Sequence, residues 1–131
     1  MSANQLNEFQ DLVSNLLLRH RSLLDVLSKF DQSNASVHRS VVKAVTECGC
    51  IEIHAHKQEI TSEMSMEEAQ EAIKSHVKGN LCESCLEAVS GQLGRNMFYV
   101  SALCNLLDLK LEHIVEEEAK RCSTLGLFNL S

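Results

Sequence analysis

The chain contains no proline in 131 residues and only five glycines. These residues are the usual interruptions of helices, because proline lacks the backbone N–H and glycine costs about 1 kcal/mol relative to alanine in a helix interior. Apolar residues also recur at steps of three and four through most of the chain, which is the period of a helix face. The sequence therefore predicts an all-α fold, a bundle of about five helices.

The length of the chain fits a single domain over 1–131. A chain of this size buries roughly two thirds of the surface that its unfolded form exposes, so it is not expected to need a metal for folding. No repeat, linker or low-complexity segment divides the sequence. We therefore expect one helical domain.

The first half of the chain predicts two long helices. Apolar residues from Phe9 to Phe30 form a stripe that predicts an N-terminal helix over 6–30. The polar segment DQSNAS at 31–36 contains several residues that favour helix N-caps, so it predicts a break followed by a second helix. The apolar stripe of that second helix continues to Ala55.

The second half predicts three more helices. Ser65 and Glu68 have the spacing of a capping box, which begins a short helix that should end near Gly79. A fourth helix over 81–107, a fifth helix through Ile114 and Cys122, and a short tail at 123–131 follow.

Charge and composition exclude several classes of partner. The net charge is −6, and the basic residues are scattered, whereas nucleic-acid binding depends on clustered cations. The sequence has no apolar run of 18 residues, and its start, MSANQLNEFQDLV, lacks the features of a signal peptide. We therefore expect a cytoplasmic protein that contacts neither membrane nor nucleic acid, with its six cysteines reduced.

Residues 47–56, ECGCIEIHAH, concentrate two thiols, two imidazoles and two carboxylates in ten positions. All of these groups can bind metals. On a continuous helix, Glu47, Cys50 and His54 would share one face, and Cys48 would point into the apolar seam. This stretch alone therefore offers at most three converging donors.

A second set of thiols lies in LCESC, at the start of the fourth helix. Packing of the second and fourth helices would bring it near the first set. The sequence thus allows a zinc site with four ligands, although structural zinc sites more often use two Cys-x-x-Cys pairs on loops. The ligands of this site would be Cys50, His54, Cys82 and Cys85. The two other thiols, Cys104 and Cys122, occupy apolar positions and are interpreted as core residues.

Residues 92–121, QLGRNMFYVSALCNLLDLKLEHIVEEEAKR, resemble the second half of the MazG-like all-α NTP pyrophosphohydrolases. Upstream, TECGCIEI resembles the helix that carries E-E-x-x-E in that family. The resemblance covers roughly 36–120. It rests on Leu93, Gly94, Phe98, Tyr99, Ala102, Leu103, Asn105 and Leu109.

Members of this family hold Mg²⁺ with carboxylates from two facing helices and hydrolyse a nucleoside triphosphate between its α and β phosphates. The resemblance places the first metal motif on Thr46, Glu47 and Cys50, and the second on Gln92 and Arg95. Only Glu47 is a carboxylate, and Arg95 puts a cation where the metal would sit, so Mg²⁺ binding is disfavoured. An ion pair between Arg95 and Glu47 would replace the metal.

The sequence therefore predicts a pseudoenzyme, a MazG-like module with a degenerate metal site that acts in binding or assembly and needs no cofactor. The resemblance also implies a homo-oligomer, a dimer or tetramer formed through helices. It leaves open whether a nucleotide binds. Two alternatives remain. One is an active, Mg-dependent pyrophosphohydrolase with a rearranged site at Glu47, Glu52 or His54, and the other is the zinc-binding protein described above.

Overall fold

A computed structural model describes residues 3–17 and 22–125. Within these ranges the chain forms five α-helices and one sheet of two short strands, which confirms the predicted all-α fold of about five helices. The elements are α1 (Ala3–Leu16), α2 (Leu23–Lys43), β1 (Ile51–Ile53), α3 (Met66–Ala72), β2 (Val77–Gly79), α4 (Glu83–Leu106) and α5 (Leu111–Leu125). None of the described helices combines the length and the apolar character needed to cross a bilayer.

The N-terminal helix predicted over 6–30 is two helices, because α1 ends at Leu16 and α2 begins at Leu23. Residues 18–21 between them lie outside the described part of the chain. The predicted break at 31–36 is wrong, since α2 continues through it. Polar residues such as Asn and Ser each cost less than about 0.7 kcal/mol inside a helix, so without proline or glycine they do not end one.

The predicted second helix through Ala55 is also wrong, since α2 gives way to a π-helical turn at Ala44–Cys48. Gly49 follows in the left-handed conformation, with a φ angle of 77°, and its N–H donates to the carbonyl of Ala44 at 2.9 Å. Beyond this turn the chain becomes β1, whose two isoleucines favour an extended backbone. The expected helical face of Glu47, Cys50 and His54 therefore does not form.

The N-cap predicted at Ser65 is confirmed, because its hydroxyl accepts a hydrogen bond from the N–H of Glu68 at 3.1 Å. That helix ends at Ala72, earlier than predicted, and Gly79 lies in β2. The helices α4 and α5 agree with the predicted fourth and fifth helices. Of the predicted tail at 123–131, the first three residues belong to α5 and the others lie outside the described residues.

The internal contacts of the chain divide it into two units. The first unit consists of the described residues within 1–38 and 90–131, and the second unit is residues 39–89. The helices α2 and α4 each begin in one unit and end in the other. Each unit has its own internal structure and is described separately.

The second unit is organised around the antiparallel pair of β1 and β2, in which Ile51 lies opposite Gly79 and Ile53 opposite Val77. Few apolar side chains are buried here. They are Ala44, Ile51, Ala69 and Val89, of which two are alanines. Burial of apolar surface supplies about 25 cal/mol per Å², so this unit gains little stability from a core.

The first unit has a larger apolar core. One buried cluster contains Val13, Leu17, Val26 and Ala102, and a second contains Leu6, Cys104 and Leu111. The partly buried aromatic rings of Phe9, Phe98 and Tyr99 pack against these clusters. Cys104 is therefore a core thiol as predicted, whereas Cys122 is exposed on α5, so its assignment to the core is wrong.

A single polar residue connects three helices of the first unit through its side chain and its backbone carbonyl. Gln10, on α1, is only 9% exposed. Its amide donates to the carbonyl of Leu109 at 2.8 Å and accepts from the N–H of Leu111 at 2.9 Å. Its own carbonyl accepts from the side-chain amide of Asn105 on α4 at 3.1 Å. Gln10 thus satisfies the backbone groups that the turn between α4 and α5 would otherwise leave without partners.

We expect Gln10→Ala to lower the free energy of unfolding of the first unit by about 2–3 kcal/mol, because the buried N–H of Leu111 loses its acceptor. Tyr99 is the one tyrosine of a chain without tryptophan, and it packs against this core, so its fluorescence during urea unfolding reports on this unit. Gln70→Ala, at an exposed position of α3, is the matched control and should change stability by less than about 0.5 kcal/mol. Equal effects of the two substitutions would contradict the role of Gln10.

Candidate metal centre

The thiols of four cysteines converge in the second unit. These are Cys48, Cys50, Cys82 and Cys85, and their sulfur atoms all lie within 4.8 Å of one another. The Sγ atoms of Cys48 and Cys82 are 3.8 Å apart. All four thiols are unpaired, so no disulfide accounts for their proximity. An arrangement of this kind can bind a metal ion.

The first pair of cysteines is positioned by the turn between α2 and β1. Cys48 ends the π-helical turn, and Gly49, with its positive φ angle, reverses the direction of the backbone before Cys50. Non-glycine residues rarely adopt this conformation. The Cys-Gly-Cys sequence therefore lets two neighbouring thiols face the same point. The Sγ of Cys50 also lies 3.8 Å from the carbonyl of Ala44.

The second pair lies at the start of α4. Cys82 immediately precedes the helix, and Cys85 belongs to its first turn, so their side chains lie on the same side. The N–H of Cys85 donates to the Sγ of Cys82 at 3.4 Å. The first N–H groups of a helix have no partner within the helix, and Cys82 thus acts as an N-cap through its sulfur.

The two pairs meet because β1 and β2 come very close at the base of their hairpin. Gly79 lies opposite Ile51, directly after Cys50, and a Cβ atom on Gly79 would stand 2.6 Å from the carbonyl oxygen of Cys50. No side chain fits at that distance. The φ angle of Gly79 is also positive, at 93°. Glycine at this position therefore permits the backbone contact that brings the two pairs together.

Hydrogen bonding distributes the protons of the cluster unequally. The N–H of Cys85, together with the thiols of Cys85 and Cys48, lowers the pKa of Cys82 to about 7. The hydrogen bond between the Cys85 thiol and the sulfur of Cys82 raises the pKa of Cys85 to about 12, because it holds the proton on Cys85. At neutral pH the cluster therefore holds thiolate character at Cys82 that a bound cation would stabilise.

Three of the four zinc ligands suggested by the sequence lie in this cluster, namely Cys50, Cys82 and Cys85. His54 lies outside it, since its Nε2 atom is 3.0 Å from a carboxylate oxygen of Glu52. Cys48 occupies the fourth place. Cys48 was not predicted as a ligand, because a continuous helix through Gly49 would have turned its thiol into the apolar seam. The signal that could have found it is the glycine between two cysteines, followed by the alternating residues of a strand.

The residues suggested by the MazG-like resemblance divide between the two units. Glu47 is exposed in the π-helical turn. Glu47 and Cys50 both belong to the second unit. Gln92 and Arg95 belong to the part of α4 in the first unit. The Oε1 atom of Gln92 is buried without a hydrogen-bond partner. Arg95 is exposed and lines an open cleft of about 400 Å³ with Gly91, Phe98 and Tyr99.

Comparisons of the chain with protein-family models, with curated proteins and with solved structures find no match. The MazG-like relation therefore stays a prediction. The four-cysteine cluster is the feature from which a function can be argued, because its geometry is specific.

We expect Gly79→Ala to destabilise the hairpin by at least about 2 kcal/mol, because the added methyl group meets the carbonyl of Cys50 and the positive φ angle is strained. Amide hydrogen exchange of β1 and β2 should become about thirtyfold faster, while Tyr99 fluorescence in the first unit stays unchanged.

The matched control is Gly49→Ala, where the φ angle is also positive but no atom lies within 4 Å of the added Cβ. It should have the smaller effect, about 1 kcal/mol, from conformational strain alone. If the two substitutions accelerate exchange equally, the close contact at Gly79 does not hold the hairpin.

Proposed function

We propose that this protein is a zinc-binding helical protein in which Cys48, Cys50, Cys82 and Cys85 hold one Zn²⁺. The separation of the sulfur atoms carries the proposal. Zinc–sulfur bonds of about 2.3 Å at tetrahedral angles place two sulfur atoms about 3.8 Å apart. The Sγ atoms of Cys48 and Cys82 lie at 3.8 Å, and all four fall within 4.8 Å.

The chemistry of the donors supports zinc over harder cations. Four thiol sulfurs converge here, and no carboxylate of the described residues joins them, whereas Mg²⁺ and Ca²⁺ require oxygen ligands. A mononuclear iron site has the same tetrahedral thiolate geometry and is the main competitor. Four protein ligands also fill the coordination sphere of zinc, which leaves no open position for a substrate. The proposed role is therefore structural.

The small apolar core of the second unit is a further argument for a bound ion. Only four apolar residues within 39–89 are buried, and two of them are alanines. Chain segments with so little core are commonly stabilised by a metal or by disulfides. Zinc binding would supply folding free energy directly, because the site exists only when the hairpin and the start of α4 are assembled. The expectation that this chain folds without a metal was based only on its total length, whereas most of the buried apolar residues belong to the first unit.

Protein purified without chelator should contain close to one zinc and little iron per chain by elemental analysis. Serine in place of any one ligand, for example Cys82→Ser, should lower zinc affinity by about a hundredfold to a thousandfold. This estimate comes from dividing the roughly 10–16 kcal/mol of a structural zinc site among four thiolates.

Cys122→Ser is the matched control, because Cys122 is exposed on α5 and lies outside the cluster. It should keep the full zinc content and affinity. Chelation should also accelerate hydrogen exchange within 39–89 while Tyr99 fluorescence in the first unit remains unchanged. Metal-free protein with native hydrogen exchange, or affinity unchanged in Cys82→Ser, would refute the proposal.

We infer a second candidate role for the first unit, as a catalytically degenerate MazG-like module. The cleft at Arg95 supports it, because a guanidinium beside the rings of Phe98 and Tyr99 suits a phosphate and an aromatic base. Assembly through helices would fit the exposure of Leu12, Leu16 and Leu24 on α1 and α2. Six unpaired cysteines fit a reducing, cytoplasmic location.

For this candidate we expect no release of pyrophosphate from the common nucleoside triphosphates with Mg²⁺ or Mn²⁺, because Glu47 is the one carboxylate at the positions that the resemblance assigns. Nucleotide binding without turnover should weaken in Arg95→Ala. Lys120→Ala, on the exposed surface of α5, is the charge-matched control. Turnover that disappears in Glu47→Gln would instead identify an active hydrolase with a rearranged site.

A further inference from the structure

The hairpin of the second unit carries a cluster of histidines and lysines that the zinc site does not use. Beyond the last strand residues the pairing continues, since the N–H of His54 donates to the carbonyl of His76 at 2.8 Å. Because cross-strand partners lie on the same face of a sheet, His54 and His76 are neighbours there. The ring of His76 also meets that of His56 edge to face, with centroids 4.6 Å apart.

These side chains line an open cleft of about 330 Å³. Its residues are His54, His56, Lys74, Ser75, His76, Val77 and Lys78. The lining contains two ammonium groups, three imidazoles and no carboxylate. Glu52, opposite Lys78, lies outside the lining, and its carboxylate contacts the Nε2 atom of His54 at 3.0 Å. In a chain of net charge −6, such a cationic lining is unusual.

The backbone around the cleft is held in place. The side-chain amide of Gln58 donates to the carbonyl of Lys74 at 2.9 Å and accepts from its N–H at 3.0 Å. His76 has a positive φ angle of 63°, which non-glycine residues seldom adopt. Its Nε2 atom is buried without a hydrogen-bond partner. Such an unsatisfied polar atom in a residue that lines the cleft calls for an explanation.

We propose that this cleft binds a phosphate group of a small molecule. Ammonium and imidazole N–H groups donate hydrogen bonds to phosphate oxygens, and those from lysine are charge-assisted. A second metal site fits less well, although imidazole is a good ligand, because Lys74 and Lys78 would repel a cation. The cleft residues do not overlap with the four cysteines, so this proposal stands apart from the zinc site.

The test is a titration of the purified full-length chain, with its metal content recorded, using inorganic phosphate and, separately, phenyl phosphate. NMR signals of the histidine rings and isothermal calorimetry report binding. We expect saturable binding of one phosphate group per chain, with shifts at His54, His56 and His76. Equal affinity for the two probes would identify a site for the phosphate group alone, and tighter binding of phenyl phosphate would identify an organic phosphate as the ligand.

The double substitution Lys74→Ala and Lys78→Ala should weaken phosphate binding about tenfold or more, because charge-assisted hydrogen bonds are lost. The charge-matched control is the double substitution Lys43→Ala and Lys120→Ala, outside the cleft, which should leave the affinity unchanged. His76→Asn should also weaken binding about tenfold, and asparagine tolerates the positive φ angle.

Unchanged metal content and unchanged hydrogen exchange of the hairpin in these variants would show that the loss is local to the cleft. Equal loss in both lysine double variants would overturn the proposal. It would also be overturned if neither probe binds, or if the cleft takes up a second zinc ion that is lost in His54→Ala. Each of these outcomes is distinguishable from a failure of the cysteine site, which is measured by metal content.

Discussion

The organisation of the second unit depends on one backbone contact, the approach of Gly79 to the carbonyl of Cys50. This contact fixes the register of the hairpin. On one side of it the chain leads into the two cysteine pairs, and on the other side the register places His54 opposite His76. Because so few apolar residues are buried in this unit, a hydrophobic core contributes little to its local order.

The two ends of the hairpin differ in charge, because thiols cluster at one end and lysines and histidines at the other. At one end four sulfur atoms lie close together, and the pKa of Cys82 is lowered while that of Cys85 is raised, so a second thiolate is unfavourable at neutral pH. At the other end two lysines and three histidines surround a cleft without a carboxylate. A soft cation is the ligand that suits the four sulfur atoms, and an anion is the ligand that suits the lysines and histidines of the cleft.

The existence of α4 and α5, the approximate extent of α4 and the cap at Ser65 follow from local periodicity and capping chemistry, and they were predicted correctly. The periodic stripe over 6–30 was predicted as one helix but belongs to both α1 and α2. The region after Lys43 was not predicted correctly, because its apolar residues fit a helical period while Gly49 and a strand partner about 25 residues away decide the conformation. The wrongly extended helix also explains why only three of the four clustered cysteines were predicted as ligands. Cys50, Cys82 and Cys85 were identified as donors, but Cys48 was assigned to a helix seam that does not exist.

The local structure around Gly49 also limits the form that a MazG-like relation could take. The resemblance assigns metal ligands to one continuous helix through Glu47 and Cys50, but regular helix ends at Lys43 and the π-helical turn stops at Cys48. The donors of this stretch that converge are the thiols of Cys48 and Cys50, which prefer soft metals, whereas phosphoryl chemistry with Mg²⁺ requires hard oxygen ligands. A chain that uses its cysteines to close the hairpin cannot use the same backbone to present carboxylates on a helix. Any retained nucleotide role would therefore rest on the cation and aromatic rings of α4, without the hydrolytic metal.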